Sequence, residues 1–118
     1  MTSPTMSDSP ALMRDLRWSP AEKAIARTVF ESALQQELAA VIRETKEMAV
    51  KIKQVSDVWD LERYLTRRRQ EIDREYDYRY SVLPEVFGNL IRKGRIRGED
   101  LRGLRDAKLY YIDAYEKL

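Results

Sequence analysis

The chain has 118 residues, room for one domain, with 43% hydrophobic and 36% charged residues and a net charge of +2. That apolar content excludes a disordered chain, and the near-balance of charge argues against a dedicated nucleic-acid binder, which carries a basic excess. With no Cys and no His, disulfides, Cys/His zinc sites, cysteine nucleophiles and histidine-based triads are all excluded.

No apolar run approaches the roughly 20 residues a membrane helix needs, so no integral membrane association is expected. The N-terminus, MTSPTMSDSPALMRDLRW, lacks the continuous apolar core of a secretory signal. A cysteine-free chain of this kind fits the cytoplasm. Residues 1–18, rich in Ser, Thr and Pro, read as a flexible tail, or alternatively as a short docking segment around Leu12, Leu16 and Trp18. Residues 19–118 then form a single all-helical dimerisation and partner-binding domain.

A first helix opens at Ser19-Pro20-Ala21-Glu22, which combines an N-cap Ser, a Pro at the first helical position and a Glu three residues after the cap. No Gly or Pro follows until Pro84. Ile25, Val29, Leu34, Leu38, Val41, Met48 and Ile52 recur at helical spacing. From Leu34 the steps alternate four and three if Thr45 is counted, the a/d seam of a helix packed along another helix. The helix is predicted to run to about residue 53, a length of about 50 Å.

Ser56-Asp57 offers a second cap. Beyond it one stripe carries Val58, Leu61, Leu65, Ile72, Tyr76, Leu83, Phe87 and Leu90. Pro84 lies within this pattern and predicts a kink or break over residues 80–83. Gly94 follows Arg92-Lys93 as a C-terminal cap, residues 95–98 form a connection, and a last helix is predicted over about 99–116, with Leu101, Leu104, Tyr111, Ile112 and Tyr115 on its apolar side. The fold is thus all-α: a long antiparallel helical hairpin plus a small C-terminal helical head.

Length points to dimerisation through the long helices. A helix of about 50 Å overshoots a globule whose radius of gyration is about 13 Å. A second copy is the simplest cover for the seam, with Leu34, Leu38, Val41, Met48, Ile52 and Trp59 at the interface. The alternative is a monomeric bundle with a kinked first helix.

Several polar residues do not suit a plain bundle. Arg69 falls on the stripe between Leu65 and Ile72, where it is either paired with Asp73 or Glu62 in a packed seam or lays its stem on the seam with its head in water. Trp59, with Arg63, Thr66 and Gln70 on its side, is either an interface anchor or dimer core. Around Arg67-Arg68-Arg69, the pairs Arg67–Glu71, Arg69–Asp73 and Glu75–Arg79 stand at i, i+4 spacing and read as a salt-bridged face. Arg92, Lys93, Arg95, Arg97, Arg102 and Arg105 have only Glu99 and Asp100 nearby, which makes them the better electrostatic docking surface. Tyr76, Tyr78 and Tyr80 alternate along a presumed helix, so Tyr78 should be exposed, as should one of Tyr110 and Tyr111. Carboxylates beside arginines stay ionised, and no Gly-rich loop, nucleophile elbow or Asp-rich metal loop is present. The chain therefore reads as a non-enzyme without cofactors.

The second helix resembles the fluorescence recovery protein family. The likeness is carried by Val58-Trp59-Asp60-Leu61, Leu65, Arg69-Gln70-Glu71-Ile72-Asp73, Tyr76-Asp77, Arg79 and Ser81-Val82, with Phe87 and Gly94 beyond. It covers most of the chain from Ser19 and is most specific over residues 58–82. The resemblance implies an all-helical dimer that binds the light-activated orange carotenoid protein, speeds its return to the resting form and detaches it from the phycobilisome. It also implies that Trp59 and Arg69 occupy positions of the dimer and partner surface. Where cyanobacterial members carry His-Asp, this chain carries Glu62 and Arg63. The exposed aromatics, the cationic segment and the resemblance together nominate Trp59, Glu62, Arg63, Arg69, Phe87, Arg95, Arg97 and Tyr111 for partner binding. Two other readings stand beside this one: a dimeric helical adaptor of the same family with an unrelated protein partner, and a weak nucleic-acid binder using residues 92–105.

Overall fold

A computed structural model describes residues 16–118, and these form four α-helices and one 3₁₀ turn. Helix α1 spans Pro20–Val50. Its start is the capping box expected from sequence: the Ser19 hydroxyl accepts the Glu22 N–H at 3.2 Å, and the Glu22 carboxylate accepts the Ser19 N–H at 3.0 Å. Helix α2 spans Val55–Glu75. It opens one turn before the predicted cap, because Asp57 sits at the third helical position, where its carboxylate accepts the N–H groups of Lys53 at 2.9 Å and Gln54 at 3.2 Å.

Helix α2 returns along α1. Tyr64 bonds Glu44, Arg68 bonds Glu37, and Tyr76 bonds Glu37 at 3.0 Å, so the α1 partners descend as the α2 residues rise.

The chain leaves the helix at Tyr76, earlier than the predicted break at 80–83. Residues 76–79 have no regular secondary structure, and Tyr78 is half-buried instead of exposed on the far side of a helix. The three tyrosine rings fall in order along α1. Tyr76 meets Phe30 at 5.6 Å, Tyr78 meets Phe30 at 4.8 Å and lies under Arg27 at 4.6 Å, and Tyr80 lies under Lys23 at 5.2 Å. The end of the helix at Glu75 also removes the predicted Glu75–Arg79 pair: Arg79 bonds Asp77, and Glu75 bonds Lys93.

Helix α3, Leu83–Arg92, begins around Pro84, which sits in its first turn, where the missing N–H costs nothing. It ends as predicted at Gly94, whose φ of 73° suits glycine. The Gly94 N–H reaches the Ile91 carbonyl and the Arg95 N–H reaches that of Leu90, a Schellman closure. The predicted helix over 99–116 is broken. A 3₁₀ turn at Gly98–Leu101 gives way at Gly103, with φ of 109°, and helix α4 runs Asp106–Glu116.

The core lies at one end, in the head. Ala26, Phe30 and Ala33 of α1 meet Leu83, Phe87 and Leu90 of α3, together with Ile96, Leu101, Leu104 and Ile112. Trp18 belongs to this core, 5.4 Å from the Tyr80 ring, and not to a tail. Leu16 is half-buried, while Leu12 and the rest of the proposed tail lie outside the described residues.

Candidate docking surface

The contact between α1 and α2 is largely polar where Glu37 and Glu44 meet Arg68 and Tyr64, and several bulky apolar residues of the pair face away from it. The buried stripe of α1 is Glu22, Ala26, Phe30, Ala33 and Glu37. The seam Leu34–Leu38–Val41–Met48 lies roughly a quarter-turn round the helix from it. On α2 the side turned to α1 carries Leu61, Tyr64, Arg68 and Glu75, and Val58 and Leu65 again lie roughly a quarter-turn away. The offset has the same hand on both helices, and the helices run in opposite directions. The two apolar stripes therefore open on one side of the pair. Leu38, Ile42, Val58, Trp59 and Leu65 are 38–57% exposed. Leu34, Val41, Met48 and Ile52 are half-buried.

The inner contact is polar and centred on Glu37, which is 4% exposed. Its carboxylate accepts from Arg68, from the Tyr76 hydroxyl and from Arg95 Nε at 2.8 Å. Burial alone would push this carboxyl up, but those three donors hold it below the usual carboxylate range. Burial pushes the Tyr76 phenol up, and the Glu37 carboxylate beside it adds to the rise. Arg68 also reaches Glu71 at 2.8 Å. Over this contact lies an open cleft of 740 Å³ lined by Arg43, Glu44, Tyr64, Arg67, Arg68 and Arg95, among others.

Arg68, and not Arg69, is thus the arginine enclosed between carboxylates. Arg69 is exposed and makes no ion pair among the described residues, so the expected pairing with Asp73 or Glu62 is not formed. Arg67–Glu71 stands at 3.5 Å, as its spacing suggests. Trp59 is exposed. Glu62 and Arg63 are exposed beside it, with Arg63 bonded to Asp60.

The nominated head residues divide. Phe87 is fully buried and Tyr111 is 5% exposed, so both pack the head and neither is presented to a partner; the exposed member of the Tyr110–Tyr111 pair is Tyr110. Arg95 remains partly exposed, and Arg97 is open to solvent, 3.0 Å from Glu99. The cationic segment is more compensated than its neighbours in sequence suggest: Lys93 meets Glu75, Arg95 meets Glu37, and Arg105 stands 3.9 Å from Glu22.

A second buried carboxylate closes the other end of the α1 stripe. Glu22 accepts the N–H groups of Ser19 and Arg105, each at 3.0 Å, and the Lys108 ammonium. Burial opposes its charge, yet these donors bring the carboxyl down to about 2. Glu22 and Glu37 are therefore both ionised at neutral pH, which disqualifies each as a general acid. Among the described residues, no group of His, Cys, Asp or Glu is placed to hold a metal ion, and no helix is long and apolar enough to cross a membrane.

Comparison with known proteins gives one consistent family. The family model of the photoprotection regulator fluorescence recovery protein matches residues 18–115. The chain is 37% identical to the fluorescence recovery protein of Synechocystis sp. PCC 6803 over 101 residues, 86% of this chain and 93% of that one. Its fold is similar to that of the solved Fremyella diplosiphon fluorescence recovery protein, with a TM-score of 0.83 and 37% identity, covering 86% of this chain and 100% of the other. The solved Synechocystis structure gives a TM-score of 0.82 at 36% identity, with the same coverage.

Proposed function

This chain belongs to the fluorescence recovery protein family of photoprotection regulators, and from that footing we propose that it is a non-enzymatic, homodimeric regulator of an orange-carotenoid-protein-like partner. The long α1–α2 hairpins pair through Leu34, Leu38, Val41, Met48, Ile52 and Trp59. The partner docks on Trp59, Glu62, Arg63 and Arg69 of α2 and on Arg95 and Arg97 of the head. The chain binds the photoactivated form of the partner and hastens its return to the resting form. Such an effect requires only tighter binding to one conformational state than to the other.

One observation carries the dimer half of this reading: apolar stripes on α1 and α2 that open on the same side of the pair and stand exposed in a single chain. Contiguous apolar surface of this kind marks an interaction site. The partner half is supported by family membership and by exposed Trp and Arg on the same helix. The test is the dark relaxation rate of a photoactivated orange carotenoid protein with and without this chain, together with sedimentation equilibrium of the chain alone. Acceleration by a species of twice the 14.0 kDa chain mass supports the reading. A monomer with intact helical circular dichroism contradicts the dimer.

A second reading is favoured by one specific feature. Glu62 and Arg63 stand exposed where cyanobacterial members carry His-Asp, so the surface offered to a partner has changed its charge. A dimeric helical adaptor of this family with a different protein partner would fit that change.

A further inference from the structure

Glu37 is held at once by three separate parts of the chain. Arg68 comes from α2, Tyr76 from the segment that follows α2 and Arg95 from the loop after α3. A carboxylate has about four lone-pair sites, so three donors nearly fill it, and two of the three bonds are charge-assisted. The head is fixed to α1 differently, by the apolar contacts of Ala26, Phe30 and Ala33. By contrast, α2 meets α1 through Glu37–Arg68 and Glu44–Tyr64, and meets the head through Glu75–Lys93. Beside the ring contact of Tyr76 with Phe30, the contacts named here that hold α2 against α1 and the head are polar, and three of them converge on one side chain.

We propose that Glu37 is a positioning residue that fixes α2 against the head and so sets the register of the two halves of the docking surface. The α2 half is Trp59, Arg63 and Arg69, and the head half is Arg95 and Arg97. This assignment of halves rests on the docking reading above; the positioning itself does not. Arg68 and Arg95 are both tied to Glu37, one from each side of the junction, so without its charge they lose their common anchor. Arg68 retains Glu71. Arg95 has no second carboxylate among the described residues. The apolar contacts of the head with α1 are untouched by that loss.

The experiment measures distances between paired spin labels. The chain has no Cys, so labels go only where Cys is introduced. Gln70→Cys with Glu85→Cys spans α2 to α3, and Glu85→Cys with Asp113→Cys stays within the head. Labelled chain is diluted into excess unlabelled chain so that distances between copies do not contribute. Glu37→Gln is expected to broaden and shift the α2–α3 distribution and to leave the head distribution unchanged. An unchanged α2–α3 distribution overturns the proposal. Equal broadening in both pairs also overturns it, because it reports general loosening. If Glu37→Gln does not fold by far-UV circular dichroism, Tyr76→Phe removes one donor and keeps the charges, and a smaller broadening confined to the α2–α3 pair is expected. No broadening there overturns the proposal. No partner is present in this measurement, so its outcome is separate from that of the relaxation assay.

Discussion

Lys108 places its ammonium 3.0 Å from the Glu22 carboxylate, with both side chains almost fully buried and 86 positions apart in sequence. The same ammonium bonds the Arg17 carbonyl and stands 5.0 Å from the Trp18 ring, so one cation ties the chain before α1 to the first turn of α4. The pair makes stability depend on acid in a defined window. Because Glu22 is depressed in the folded chain from an ordinary 4.5 to about 2, its contribution is complete above 4.5 and is lost as pH falls through about 2. The full size is about 3 kcal/mol. Urea unfolding of wild type and Glu22→Gln between pH 7 and pH 2 reads it directly. The gap between the two is expected to be widest at neutral pH and to close toward pH 2. A gap that stays constant over that range contradicts the assignment.

Gly88 sits where α3 and α4 cross. A Cβ there would stand 2.6 Å from Tyr115 Cβ, 2.7 Å from the Ile112 carbonyl oxygen and 2.9 Å from the Glu116 nitrogen. Two of those atoms are backbone, so only separation of the helices relieves the clash. Gly to Ala inside a helix ordinarily gains about 1 kcal/mol, but overpacking of about 1–3 kcal/mol should outweigh it. Gly88→Ala is expected to lower the urea midpoint. Gly98→Ala, where an added Cβ meets nothing within 4 Å, should change it little. A Gly88→Ala chain as stable as wild type would show that the crossing is looser than described.

Local chemistry was legible in the sequence, and contacts between distant residues were not. The Ser19–Glu22 box and the Gly94 closure depend on neighbours only, and both are where the sequence puts them. Tyr76 fits the helical steps of its stripe, yet the helix ends at Glu75, and Tyr76 and Tyr78 both pack on Phe30, a residue far away in sequence. Arg68 and Arg69 stand three and four residues after Leu65, so spacing cannot choose between them; Glu37, 31 residues away, does. The inner stripe of α1 is hard to read from sequence because, Phe30 apart, its members Glu22, Ala26, Ala33 and Glu37 do not look like a core, whereas the outer leucines do. The head arginines looked unpaired because their carboxylates are distant: Glu37 lies 58 residues from Arg95, and Glu22 lies 83 from Arg105.

Leu38 gives a clean test of the outer stripe. It is 38% exposed in the single chain, so Leu38→Glu leaves the inner contacts and the head core intact. In a dimer seam the same change buries an unpaired carboxylate, which costs more than the roughly 2–7 kcal/mol of burying an unpaired uncharged polar group. Sedimentation equilibrium should show loss of the dimer, while circular dichroism retains the helices. A Leu38→Glu chain that remains dimeric moves the interface to another face of the hairpin.

The exposed charge at Glu62–Arg63 gives a test of the proposed partner surface. Both residues are exposed, and among the described residues Arg63 pairs with the neighbouring, half-exposed Asp60 alone, so its guanidinium is available to a docking protein. A partner surface built to accept the aspartate of the cyanobacterial pattern is basic at that point and repels Arg63. Like charges brought together at an interface cost several kcal/mol and slow association. The unmodified chain is therefore expected to accelerate the red-to-orange relaxation of a cyanobacterial orange carotenoid protein poorly. Glu62→His with Arg63→Asp restores the family pattern on a helix whose Trp59 and Arg69 are already exposed, and should recover part of the rate. The measurement is the dark relaxation of the photoactivated carotenoid protein with each form of the chain. Full activity of the unmodified chain shows that this position is not decisive. Inactivity of both forms, with the dimer intact, transfers the weight to the adaptor reading, in which the same helical surface serves a different protein.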